Sequence, residues 1–185
     1  MIVLGLDLSL TATGIVSLKD GTIEIAETTK NRPELDVRKR VLLIRDRILK
    51  IIKHPNIALD LIVVEGFSYG SKGRSVFDIG YLGNRIKEEL DYFKESEGIP
   101  WIEVPPTQLK KFATGHGVAK KEIVLQQVYK RWGVEFGDNN QADAYVLAKI
   151  GEAYFDESYC TNFQREVTAS LRGDKPAKKT RKKVK

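Results

Sequence analysis

Apolar and polar positions alternate from the start of the chain. In IVLGLDLSL (2–10), Leu4, Leu6 and Leu8 fall on one face and Val3, Gly5 and Asp7 on the other, which is the period of a strand. TGIVSLKDGTIEIAET (13–28) reads as two more strands around a Lys19-Asp20-Gly21 turn, because Asp-Gly between β-rich runs favours a hairpin. From about 34 to 53 the pattern changes: Val37, Val41, Ile44, Ile48 and Ile51 recur at helical spacing, and Pro55 closes the helix. LDLIVVE (59–65) is a continuous apolar run ending in a carboxylate, as expected for a strand buried on both faces.

A Gly/Ser-rich loop spans 66–75. A long helix follows to about 97, with Ile79, Leu82, Ile86, Leu90 and Phe93 on one stripe. Gly98-Ile99-Pro100 breaks it, WIEV (101–104) is a short strand, and Pro105-Pro106-Thr107 opens a short helix. Two more helices are predicted, over about 119–132 and 139–154; 155–172 receives no assignment. A hairpin meander followed by alternating strands and helices implies an α/β domain with a mixed sheet.

Composition adds little to the fold and more to the function. The chain has 185 residues, 42% of them hydrophobic and 30% charged, enough for one domain with a real core. No apolar run is long enough to span a bilayer, and the first residues lack a signal-peptide pattern. One cysteine, Cys160, and two histidines disfavour a zinc site, and a reducing cytoplasm is the simplest compartment. The net charge of +6 resides in the last twelve residues: DKPAKKTRKKVK (174–185) holds seven basic side chains and one acid, leaving 24 of each on 1–173. That arm has no apolar face and is expected to be disordered, serving either as a nucleic-acid tether or as a solubilising tail.

Three carboxylates stand where charge is costly. Asp7 lies within a strand between apolar neighbours, and Glu65 ends the most apolar strand. Asp143 shares its helix face with Val146, Leu147 and Ile150, which aims it at the sheet. Asp138 is read as the N-cap of that helix, in a capping box with Gln141. Three inward acids suit a hard cation such as Mg²⁺, two of which can drive phosphodiester hydrolysis.

With these residues in place the sequence resembles the RuvC family of the ribonuclease H-like superfamily. GLDLSLTATGIV (5–16), LIVVEGF (61–67), QLKKFATGHGVAKKEIV (108–124) and NQADAYVLA (140–148) are similar to its motifs, in order, over roughly 2–155. The resemblance implies a five-stranded sheet, a three-strand antiparallel meander plus two parallel strands, flanked by helices. It also implies a structure-specific endonuclease cutting four-way (Holliday) junctions. Asp7, Glu65 and Asp143 match three metal-binding catalytic acids, with Mg²⁺, or Mn²⁺ in its place, as a pair of ions. The fourth ligand position holds Asn140; an amide can ligate through oxygen but brings neither charge nor basicity. Either Asn140 serves as a neutral ligand, or Asp138 swings in, or the chain binds junctions with weak or no cleavage.

The same resemblance places lysines at Lys110 and Lys121 against DNA. Lys120 and Lys121 crowd a helix N-terminus, where the macrodipole disfavours cations unless a phosphate docks there, and Lys111 extends the basic set. In the loop, Phe67 and Tyr69 with Lys72 and Arg74 suit stacking on splayed bases; whether Phe67 or Tyr69 contacts bases stays open. In the family the long helix forms a twofold homodimer interface, which here holds only if its apolar stripe is not taken up by the chain's own core. The domain plan is a nuclease domain over 1–155, an extension over 156–173 and the basic arm. An actin-like or sugar-kinase reading of GLDLSLTATG fails, since that fold needs two duplicated domains.

Overall fold

The computed structural model describes residues 1–30, 32–67 and 75–174. The basic arm from Lys175 onward, with its expected disorder, lies outside the described residues. The meander is β1 (Ile2–Asp7), β2 (Gly14–Lys19) and β3 (Thr22–Thr28), followed by α1 (Val37–Ile52), β4 (Leu61–Glu65), α2 (Ser75–Glu97) and β5 (Trp101–Val104). The chain then runs through α3 (Pro106–Thr114), α4 (Lys121–Trp132), α5 (Asn139–Phe155) and α6 (Asn162–Arg172). Asp20 and Gly21 both adopt positive φ at the β2–β3 turn, the geometry that an Asp-Gly hairpin requires.

The five strands lie in the order β3-β2-β1-β4-β5. β1 pairs antiparallel with β2 and parallel with β4, and β4 pairs parallel with β5. The mixed sheet expected from the sequence is the one observed. Its two faces carry separate cores. Leu4, Leu6, Ile62 and Val64 pack toward α1 and α2, while Val3, Leu61 and Val63 pack toward α5 and the aromatic cluster of Phe112, Trp132 and Tyr145.

Helix α6 is the element that the sequence analysis left unassigned. Its start carries a reciprocal box, Thr161 with Gln164, and Gly173 caps its end in the left-handed region. Val167 is buried against the α5 side of the sheet. The box and the spacing Phe163, Val167, Leu171 were the available signals.

The apolar stripe of α2 belongs to the chain's own core: Leu82, Ile86, Leu90 and Phe93 are all buried there. It therefore offers no dimer face. Phe77 and Tyr81, on another side of the same helix, stay exposed at 79% and 43%. Among the described residues no helix is long and apolar enough to cross a membrane.

Candidate active site

Strand pairing places the first two acids. Leu6 is in register with Val64, so Asp7 and Glu65, one residue further along parallel neighbours, reach the same edge of the sheet. Period-two alternation puts both on the face that carries Val3, Gly5, Leu61 and Val63. That face is covered by α5.

Glycines bring α5 close. A Cβ at Gly5 would meet the Ala144 carbonyl oxygen at 2.1 Å, and one at Gly14 would meet the Asn140 carbonyl oxygen at 2.0 Å. The helix backbone thus rests directly on β1 and β2. Gly14 pairs with Asp7, so the first turn of α5 sits over the carboxylate edge and delivers Asp143 into it. Asp7 and Asp143 are only 6% and 7% exposed.

Burial dominates the electrostatics. It raises the Asp7 carboxyl, against the opposing effect of a hydrogen bond shared with Glu65. Glu65 is pushed up to about 9, by burial first and then by that bond and the charge of Asp7. Asp143 rises to about 6, by burial and by Asp7. The cations that oppose this rise are Lys121, whose Nζ lies 3.8 Å from Asp143 Oδ2, and Lys110. Among the described residues no three ligating side chains close on one point as they stand. Mg²⁺, however, needs only one or two carboxylates beside water and phosphate. Three clustered, mutually repelling acids, two of them buried, fit such a cation, which would replace the shared proton as their counter-charge.

Asp138 is the N-cap of α5, as expected, but its bonds differ from the predicted box. Its Oδ1 accepts from the Asn140 backbone N–H at 2.9 Å and from Asn140 Nδ2 at 2.7 Å, and its Oδ2 accepts from the Thr28 hydroxyl. Burial alone would raise Asp138, yet these bonds hold it below the ordinary carboxylate range. Its charge still reaches Asp7 and contributes to raising it. The bond from Nδ2 also orients the Asn140 amide.

The remaining residues divide. Phe67, Lys110 and Lys121 line a cleft of about 530 Å³ together with Glu65 and Asp143. Lys120 is exposed at the N-cap of α4. Lys111 turns away to α6, where its Nζ lies 2.7 Å from Glu166. The Phe67 ring fills the space that a Cβ at Gly83 would occupy, with Lys87 Nζ 5.1 Å from its centroid. Packing against α2 thus accounts for Phe67 and for Gly83 together. Tyr69, Lys72 and Arg74 lie outside the described residues.

The raised acids give a stability signature. Between their ordinary range near 4 and their raised values, the folded chain binds more protons than the unfolded one. Their contribution is full below that window and is withdrawn as pH rises through about 6 and then about 9. In chelator, Tm should therefore fall from about pH 5 to about pH 9, and excess Mg²⁺ should restore more of it at the alkaline end. A flat metal-free Tm, or one that Mg²⁺ leaves unmoved, would count against the cluster as a cation site.

No known family model matches the chain. A curated crossover junction endodeoxyribonuclease RuvC from Synechococcus sp. (strain WH7803) is 39% identical over 56 residues, 29% of this chain. That match spans about a third of the relative's length, 36%. Among solved structures, Thermus thermophilus RuvC superposes with a TM-score of 0.64 at 22% identity, covering 85% of this chain and 97% of that one. The T. thermophilus RuvC complex with Holliday junction substrate gives 0.66 at 20% identity, over 85% and 96%. The yeast mitochondrial Holliday junction resolvase Ydc2 gives 0.51 at 12%, over 92% and 80%. The chain therefore shares the fold of T. thermophilus RuvC, with a five-stranded mixed sheet flanked by helices.

Proposed function

We propose that the chain is a divalent-cation-dependent endonuclease that cuts four-way DNA junctions, and other branched DNA with them. The observation that carries this reading is the cluster of the buried Asp7 and Asp143 with the half-buried Glu65 at one sheet edge, beside a cleft lined by Lys110 and Lys121. Acids that crowd one another at the cost of their own ionisation suit a cation, and lysines at the rim suit a phosphate. The similarity to RuvC in fold and in a sequence segment points to the same chemistry.

In this reading Asp7, Glu65 and Asp143 hold Mg²⁺, or Mn²⁺, as two ions, with Asn140 adding a neutral amide oxygen. Bound there, the ions supply an activated water and offset the charge of the leaving oxygen. Lys121 and Lys110 hold the phosphate against the cluster. Asp138 stays in its cap and contributes charge without ligating, which partly compensates for the neutral Asn140. A twofold dimer would match the near-twofold symmetry of a junction. Its face is Phe77 and Tyr81 with Gly80 between them, where a Cβ would meet nothing within 4 Å. Work on chromosomal or viral DNA inside a bacterial cell implies a cytoplasmic setting.

Asn140 in place of an acid favours one second reading, a junction-binding protein with little cleavage. Incubation of an end-labelled four-way junction and a matched linear duplex with Mg²⁺ separates the two. Paired symmetric nicks confined to the junction are expected. Tight junction binding without nicks in Mg²⁺ or Mn²⁺ would establish the second reading, and equal cutting of both substrates would remove the junction preference.

A further inference from the structure

The carboxylate cleft does not account for all the basic groups at this edge of the sheet. Asp7 pairs with Gly14 and Gly14 with Thr28. Thr28 therefore stands at the same edge two strands away, about 10 Å from Asp7 at ordinary strand spacing. Thr28 Oγ1 also donates to Asp138, the cap of α5, which ties this end of β3 to the carboxylate site. Just beyond it, on the α1 face, is a separate cleft of about 290 Å³.

Its lining includes Thr29, Lys30, Arg32, Arg40 and Arg47. The acid among the lining residues, Glu27, is held by both Nε and Nη2 of Arg47, so that pair cancels. Arg32 lies 3.7 Å from Glu34, a contact between two exposed side chains that is worth little. Lys30, Arg32 and Arg40 thus leave the cleft with unbalanced positive charge. Arg40 is the telling member: its Nε is buried and has no hydrogen-bond partner among the described residues. A dry, unpaired guanidinium N–H is unfavourable, and guanidinium geometry favours a phosphate or carboxylate acceptor.

We propose that this cleft is a second phosphate-binding subsite, taking a backbone phosphodiester of the DNA whose scissile bond lies at the carboxylates. The inference rests on the nuclease reading above and deepens it. The cleft lies beyond Thr28, so the separation is at least those two strand spacings, and at about 3.4 Å of rise per nucleotide the held phosphate is about three or more nucleotides from the bond that is cut. Lys110 and Lys121 grip the backbone at the catalytic cleft, and Lys30, Arg32 and Arg40 grip it on the β3–α1 side. Two anchors on either side of a bond fix its direction across the site, which one anchor does not.

The test is a salt titration of binding to a synthetic four-way junction, with the full chain in chelator so that nothing is cut. Arg40→Gln should reduce the slope of log Kobs against log salt by about one and weaken binding several-fold at fixed salt. Lys30→Gln with Arg32→Gln, both on exposed positions, should reduce the slope by one to two, and this holds even if the Arg40 variant folds poorly. Unchanged slopes in a wild type that binds junctions would overturn the subsite and leave the nuclease reading standing. A wild type that binds no DNA at any salt would overturn both. A thermal shift on inorganic phosphate that is lost in Arg40→Gln, with DNA slopes unchanged, would make this a free-phosphate site and likewise overturn the proposal.

Discussion

Asp7→Asn is expected to abolish metal-dependent cutting, by roughly 10³-fold or more, while junction binding changes by no more than a few-fold. The position leaves the residue little else to do. Asp7 is 6% exposed, at the carboxyl end of the central strand, and shares a hydrogen bond with Glu65. An amide there keeps the shape and can donate to Glu65, but it removes the charge that a cation needs. Lys110 and Lys121, the lysines proposed to hold the phosphate, line the cleft and are left in place by the substitution. One further consequence separates this site from a structural aspartate. Removing one of three mutually repelling acids should raise Tm in chelator, by about 2–4 °C for each kcal/mol relieved. It should also abolish the Mg²⁺-dependent rise in Tm. Electrophoretic binding, nicking and a melting curve with and without Mg²⁺ read all three. Cutting that survives in the variant would place the chemistry elsewhere.

Much of this site could be read from spacing. Alternation in β1 puts Asp7 on the Val3–Gly5 face, and the i, i+3, i+4 pattern of α5 turns Asp143 toward the sheet. Both are local rules, and both hold because each element buries one face. What spacing does not carry is which element covers which. The stripe Leu82-Ile86-Leu90 looks the same whether a partner subunit or the chain's own sheet buries it, and here it is the sheet. Phe67 reads equally as a base-stacking or a packed aromatic, because nothing in its neighbourhood announces Gly83, sixteen residues on, as its seat. The Asp138 cap was legible, but its bond to the Thr28 hydroxyl, 110 residues away in sequence, was not. Gly5 and Gly14 were a signal passed over. A glycine on the inward face of a strand marks close approach of another backbone, and these two mark where α5 lands.

Gly5→Ala tests that landing, and its expected effect is the second largest. The added Cβ would lie 2.1 Å from the Ala144 carbonyl oxygen and 2.7 Å from the Ala148 nitrogen. These are backbone atoms of a continuous helix, so no side chain can swing aside; α5 itself must lift or β1 must bend. Overpacking of this kind costs about 1–3 kcal/mol, and a backbone neighbour puts it at the upper end or beyond. A Tm lower by roughly 6–12 °C follows for a chain of this size. The functional loss should exceed what stability alone explains. Lifting α5 withdraws Asp143 and Asn140 together from Asp7 and Glu65, and a misplacement of about 1 Å costs on the order of 10²-fold in rate. Cleavage measured well below the variant's Tm should therefore still be depressed about a hundredfold. Gly137→Ala is the matched control: its Cβ meets nothing within 4 Å, and its φ is outside the left-handed region, so alanine fits the backbone it has. Its Tm should stay level or rise. If Gly5→Ala melts and cuts like the wild type, then α5 does not rest on β1 as closely as drawn, and the distance from Asp143 to Asp7 must be larger than this arrangement of the site requires.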